Sequence, residues 1–346
     1  MHTPAVMRGV ACFLALLALG VFGCAPGPQQ FDGRTQGTTY AITVTQLPDG
    51  VTHEQIQAAI DGALRTVDGH LSTWNAQSEI SAFNRRRDTA PVAVSPQLYA
   101  VVGQSREVSA ASGGAFDITV GPLVQAWGFG SDADHAAAVP GPELLARARA
   151  RTGYQKLESD AAGHALRKTV PDLELDVAGI AQGYTVDLIA ERFEALGVGD
   201  YLIELGGELR GRGRNPAGRP WRVAVEAPLS GERKPYALVE LDGMSASTSG
   251  DYRDFRVVAD RRVSHIIDPR TGAPVTNGLA SVCVLHPSAA YADAYATALM
   301  VLGPDAGLAL ARQLGLAALF IEHDHTGHGF HERSTPEFER LRRPLD

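Results

Sequence analysis

Cysteine is scarce in this chain: 346 residues hold three. Cys12 and Cys24 fall in the first two dozen positions, which leaves Cys283 with no intramolecular disulfide partner in the rest of the sequence. It lies in the apolar run SVCVL with no electropositive neighbour, so it reads as a buried core thiol rather than a nucleophile. Long basic runs are missing as well. The 31 Lys and Arg are outnumbered by 39 Asp and Glu, for a net charge of −8, which excludes the basic footprint of a nucleic-acid binder. The common phosphate-cradling signatures are absent. There is no G-x-x-x-x-G-K-[ST], and GRGRNPAG supplies two glycines of a dinucleotide fingerprint without the third. Neither H-E-x-x-H nor a G-x-S-x-G elbow occurs, which removes the zinc-protease and α/β-hydrolase chemistries. Past residue 23 no apolar run is expected to cross a bilayer, and no repeat of solenoid period is found.

What is present begins with an unusual leader. His2 and Arg8 give a short basic start, and Val10 to Val21 is almost wholly apolar. About 12 such residues are too few to span a membrane but suit the apolar region of a signal peptide. The ending V-F-G-C resembles a bacterial lipobox. Residues 1–23 are therefore expected to be a lipoprotein signal peptide and Cys24 to carry lipid, with 24–34 as a Pro/Gly/Gln tether and 35–346 as one domain. The expected location is the cell envelope, lipid-anchored to a membrane and facing the periplasm.

Periodicity along the remainder alternates between strand and helix. TYAITVTQL, YLIEL, WRVAVEAP, SVCVL and LAALFIE read as strands. Thr52 and Gln55 form a capping box that opens a helix with Ile56, Ile60, Leu64, Val67 and Leu71 on its buried face. Ser95-Pro96 starts another helix that stops at Gly113-Gly114, and PELLARARART reads as a third. SVCVL leads into a helix from about Tyr291 to Leu302. Runs of strands with helices packed beside them predict an α+β fold of layered antiparallel sheets.

The most informative stretch is LELDVAGIAQGYTVD, residues 173–187. Alternation of Leu173, Leu175 and Val177 predicts a half-buried strand. A helix follows, with Ile180, Tyr184 and Leu188 on one strip and Ile189, Phe193 and Leu196 beside it, closed by Gly197. Small residues at such a corner permit close approach to the backbone, and a helix N-terminus attracts anions. Asp176 at the same corner would repel an anion unless a cation sat between them. Asp293 and Thr297, i and i+4 in ADAYATALMVLG, place a carboxylate and a hydroxyl on one helix face. Oxygen ligands of this kind suit Mg²⁺; the alternative is an acid placed for the helix dipole, with Thr297 bonding its own backbone. STSGDYRDF (247–255) and SHIIDPRTGAPV (264–275) are either plain hairpin turns or loops that set hydroxyls, amides and His265 around a phosphorylated ligand. Trp74, in STWNAQSEISAFN, is either core or a stacking platform. His323, His325, His328 and His331 straddle a Gly-containing turn and read as surface histidines.

GTTY, STWNAQSEISAFN, GGAFDITVGPLV, LDVAGIAQGYTVD, GGELRGRG…PWRVAVEAP, STSGDYR, HIIDPRTGAP and ADAYATALMVLG occur in the order seen in the ApbE family, the FAD:protein FMN transferases, and the chain resembles that family over nearly its whole length. The resemblance implies a T-fold-like architecture, Mg²⁺ as cofactor and FAD as substrate. It implies transfer of FMN to a Ser or Thr of a target flavoprotein subunit with release of AMP. Hydrolysis of FAD to FMN and AMP, or flavin binding without catalysis, are the alternative activities. The resemblance places metal ligands at Asp293, Thr297 and the carbonyl of Gly179. It places flavin and nucleotide contacts at Trp74, Ala115, Phe116, Asp117, Asp176 and Ile267. His265 is the candidate base and Asp293 the other catalytic candidate. Gln36 and Gln182 stand where the family commonly has Met and Lys, and both are expected near the flavin nucleotide.

Overall fold

The computed structural model describes residues 27–129, 139–229, 234–251, 255–258, 261–324 and 329–345. The expected leader, Cys24, and two of the four clustered histidines, His325 and His328, lie outside these residues.

The main sheet is eight-stranded and its strands follow one another in chain order, each antiparallel to the next. They are β1 (Gln29–Thr35), β2 (Thr38–Val44), β3 (Tyr201–Leu205), β4 (Glu208–Arg212), β5 (Met244–Gly250), β6 (Leu279–His286), β7 (Ala317–His323) and β8 (Phe330–Ser334). The helices are α1 (His53–Leu71), α2 (Glu79–Arg85), α3 (Pro96–Ala111), α4 (Gly121–Ala126), α5 (Pro142–Ala150), α6 (Ala178–Ala195), α7 (Ala289–Leu314) and α8 (Pro336–Leu341). On one face of the sheet, α1 and α6 pack against β1–β3, and α7 packs against β6 and β7. The opposite face is covered by a small antiparallel sheet of Trp221–Glu226, Pro235–Leu241 and Arg342–Arg343, together with α8. Alternation along β6 serves both layers: Val282 and Val284 point to α7, Cys283 and Leu285 to the small sheet. The α+β layering expected from the sequence is present, and Cys283 is a core thiol whose pKa burial pushes up to about 11.

Local rules place the early elements. Thr52 and Gln55 form the capping box, with Gln55 N–H donating to Thr52 Oγ1 and Thr52 N–H to Gln55 Oε1. Gln36 and Gly37, both at positive φ, make the two-residue turn of the β1–β2 hairpin. That hairpin pairs from Gln29 onward and buries Phe31, so residues 29–34 of the expected tether lie in a strand.

Three further expectations are corrected. Residues 173–177 alternate in burial but join no sheet. The Leu175 N–H and C=O are taken by the Asn84 side chain, at 2.8 Å each, and the Asp176 N–H donates to the Ile118 carbonyl at 2.6 Å. Residues 247–250 of STSGDYRDF are the end of β5 and not a turn. The helix expected over 291–302 runs from Ala289 to Leu314, kinked at Gly303 (φ 80°) before Pro304. At 26 residues it is apolar enough by length and composition to cross a bilayer, yet it packs between the sheet and α6.

Candidate active site

Helices α6 and α7 are in contact at backbone level. A Cβ on Gly183 would lie 2.6 Å from the Ala289 carbonyl carbon and 2.9 Å from Ala290 Cα, so only glycine permits this approach. The consequence falls on α7. Asp293, 6% exposed, meets α6 there, and its Oδ2 accepts the Gly183 N–H at 3.2 Å. In a regular helix the Gly183 amide would turn to the Gly179 carbonyl, four residues back. Gly179 itself is non-helical (φ −86°, ψ 19°), and a Cβ on it would lie 3.2 Å from Thr297 Oγ1 and 3.2 Å from Phe116 Cε2. The small-residue corner of 178–179 is thus the seat of the Asp293–Thr297 face, and Asp176 adjoins it, its Oδ1 accepting the Ala178 N–H at 3.0 Å.

This junction opens into a cleft of about 1100 Å³. Trp74, Ala115, Phe116, Asp117, Asp176 and Gly179 line it, as do Gln182, His265, Ile267, Asp293 and Thr297, so residues spread over more than 200 positions meet in one place. Trp74 is 78% exposed at the cleft wall, which excludes a core role. His265 packs edge-on to Phe129, ring centroids 6.4 Å apart. Gln182 covers Gly206, the first residue of the β3–β4 turn.

Two of the expected contact residues have their side chains bonded within the protein. Gln36 does not line the cleft: its Nε2 donates to Thr185 Oγ1 at 2.8 Å, tying the hairpin turn to α6. The Asp117 carboxylate is committed within the protein, Oδ1 to the Thr119 N–H and hydroxyl and Oδ2 to the Tyr154 N–H. It shapes the loop that lines the cleft.

Acidity dominates the floor. Burial raises the Asp293 pKa well above the usual carboxylate range, and the neighbouring Glu208 charge raises it further. Glu208, 7% exposed, accepts from Ser247 Oγ at 3.2 Å. Burial likewise raises Asp176. Two buried acids, with no cationic side chain among the described residues stabilising Asp293, form a poor resting place for an anion and a good one for a hard cation. The donors at hand are all oxygen, and Ser249 Oγ lies 3.2 Å from Thr297 Oγ1. Among the described residues no group of three or more His, Cys, Asp or Glu could hold a metal, so the set present fits Mg²⁺, which keeps positions for substrate oxygens, better than zinc.

Sequence reasoning passed over Asn84, Glu208 and Ser249. Asn84 closes the STWNAQSEISAFN run, and its clamp on Leu175 fixes the chain just before Asp176. Glu208 follows the Gly206-Gly207 turn, and nothing in its spacing marks it as buried beside Asp293.

The ApbE family model matches residues 36–320. The chain is 40% identical over 309 residues to the FAD:protein FMN transferase of Klebsiella pneumoniae (strain 342), covering 89% of this chain and 87% of that protein. It is 39% identical over 335 residues to the FAD:protein FMN transferase of Vibrio cholerae serotype O1, covering 96% and 98%. Among solved structures, Pseudomonas stutzeri flavinyl transferase ApbE in its apo form superposes with a TM-score of 0.83 at 42% identity, over 91% of this chain and 96% of that one. The flavin transferase ApbE of Vibrio cholerae also gives 0.83, at 38% identity over 91% and 99%.

Proposed function

The chain belongs to the ApbE family, and from that premise we propose that it moves FMN from FAD to a serine or threonine hydroxyl of a target protein, with AMP leaving. The observation that carries this reading is the junction of Gly179, Asp293 and Thr297 at one end of a cleft that also presents Trp74, Phe116 and His265. About 1100 Å³ accommodates a dinucleotide, since ordinary ligand pockets run to ~1,000 Å³.

The Gly179 carbonyl, the Asp293 carboxylate and the Thr297 hydroxyl are the groups that would hold Mg²⁺, whose bound charge offsets that of the pyrophosphate. The rest is work for the protein's own side chains. Trp74 stacks on a planar ring, and Phe116 with Ile267 lines the apolar wall. Asp176 serves a sugar or base as hydrogen-bond acceptor. Gln182, in place of the family's usual lysine, donates a hydrogen bond without charge. His265 takes the proton of the incoming hydroxyl. The hydroxyl oxygen bonds to the FMN phosphorus as the bond from that phosphorus to the bridging oxygen breaks, and AMP departs with that oxygen.

The Gly23-Cys24 sequence supports lipid attachment at Cys24 and a periplasm-facing location; Cys24→Ser should release the protein from membranes. The activity is tested by incubating purified protein with FAD and Mg²⁺, with and without a flavin-accepting protein. Flavin bound covalently to the acceptor supports transfer. Free FMN without acceptor labelling would make the protein a hydrolase, and intact FAD would make it a flavin binder.

A further inference from the structure

The three groups at the cleft floor belong to two separate helices, and besides the Gly183–Asp293 bond their alignment needs a connection that sets how far along its axis one helix lies against the other. Asp187, two turns beyond Gly179 on α6 and outside the cleft lining, makes that connection. Its Oδ1 accepts the Ala289 N–H at 2.9 Å and Arg210 Nη1 at 2.8 Å. Its Oδ2 accepts the Ala290 N–H at 3.0 Å and Ser288 Oγ at 2.6 Å. Ala289 and Ala290 supply the first amides of α7, groups that a helix leaves unsatisfied and that a local side chain ordinarily caps. The local cap, Ser288, takes only the Tyr291 N–H, at 3.3 Å. Helix α7 therefore starts on a carboxylate of α6.

The contacts descend in order along an antiparallel pair. Asp187 meets Ala289 and Ala290, the Gly183 amide meets Asp293, and Gly179 lies against Thr297. The spacing from Asp187 back to Gly179 equals that from Ala289 on to Thr297, about 12 Å on either helix at 1.5 Å per residue. Helices shift along their axes as rigid rods, so a slip at the first contact arrives undiminished at the last. Arg210, from β4, holds the carboxylate from the sheet side; both side chains are largely buried.

We propose that Asp187 is a positioning residue for the cation site: by capping α7 from α6 it sets the register that brings the Gly179 carbonyl, Asp293 and Thr297 to one point. The proposal rests on reading that point as a cation site. Mn²⁺ titration followed by electron paramagnetic resonance, on metal-free protein in the presence of FAD, tests it for wild type, Asp187→Asn, Asp187→Ala, Ser288→Ala and Asp293→Ala, with thermal melting in parallel. Asp187→Ala should raise the Mn²⁺ dissociation constant at least tenfold. Asp187→Asn, which keeps an acceptor oxygen and guards against loss of folding in the alanine variant, should raise it less. Ser288→Ala removes the local cap but leaves both Asp187–amide bonds, so it should lower the melting temperature and leave Mn²⁺ affinity as in wild type. Wild-type affinity in both Asp187 variants overturns the proposal. So does a loss of affinity in Ser288→Ala that matches its loss of stability as in the Asp187 variants. If wild type and Asp293→Ala bind Mn²⁺ alike, the cation reading itself falls, and the proposal with it.

Discussion

Gly183→Ala separates two physical expectations of opposite sign. By intrinsic helix propensity alone the change should stabilise α6, by about 0.8–1 kcal/mol. The packing says otherwise. The added Cβ would lie 2.6 Å from the Ala289 carbonyl carbon and 2.9 Å from Ala290 Cα, and closer still to the Ala289 oxygen, where ordinary contact needs 3.4–4 Å. All three atoms are backbone, so no rotamer change relieves the clash and the helices must part by roughly 1 Å. Overpacking of this kind costs about 1–3 kcal/mol. Taking a net loss of ~2 kcal/mol, and about 2–4 °C per kcal/mol for a chain of this size class, the melting temperature should fall by about 4–8 °C. The same displacement moves the Gly183 amide off Asp293 and shifts Thr297 from Gly179, and a 1 Å misplacement of reacting groups costs transfer roughly 10²-fold. Calorimetry and a flavin-transfer assay on the purified variant measure both effects. A variant that melts higher than wild type and transfers flavin normally would refute the backbone contact between α6 and α7.

Asp293→Asn should lose transfer to the level of wild type in EDTA, and in metal-free buffer it should melt no lower than wild type, because it replaces a buried acid whose charged form burial and the Glu208 charge disfavour; full wild-type activity in EDTA would remove the cation from the reaction. Trp74→Ala should weaken FAD binding by about 1–3 kcal/mol, the usual worth of a stacked base, with melting unchanged since the ring is exposed; unchanged FAD affinity in fluorescence titration would end the stacking role. Lys168 is buried above the Phe83 ring, and burial, then the Arg87 charge, lowers its pKa to about 8. Between that value and the ~10.4 of an unfolded lysine the folded chain has released a proton that the unfolded chain retains. Stability relative to Lys168→Met should therefore rise with pH across this window, and a flat difference in melting temperature from about pH 7 to 10 would contradict the burial of a charged ammonium.

Short-range chemistry was legible in the amino-acid sequence alone. The Thr52–Gln55 capping box, the Ser95-Pro96 helix start, the Gly197 helix end and the shared face of Asp293 and Thr297 each depend on residues within four positions of one another, where helix geometry leaves few choices. The order of motifs carried the family. Tertiary structure decided what distant residues do to one another. The alternation of 173–177 did not make a strand, because Asn84 and Ile118 supply the backbone partners that a neighbouring strand would have offered. Gln36 and the Asp117 carboxylate were drawn into hydrogen bonds with Thr185, Thr119 and Tyr154. Glu208 lies far from Asp293 in sequence, and only the packing of β4 against α6 and α7 puts their charges together. Burial is a property of the assembled layers and not of a residue, so the raised pKa of Asp293 exists only once α6 and α7 have closed upon each other.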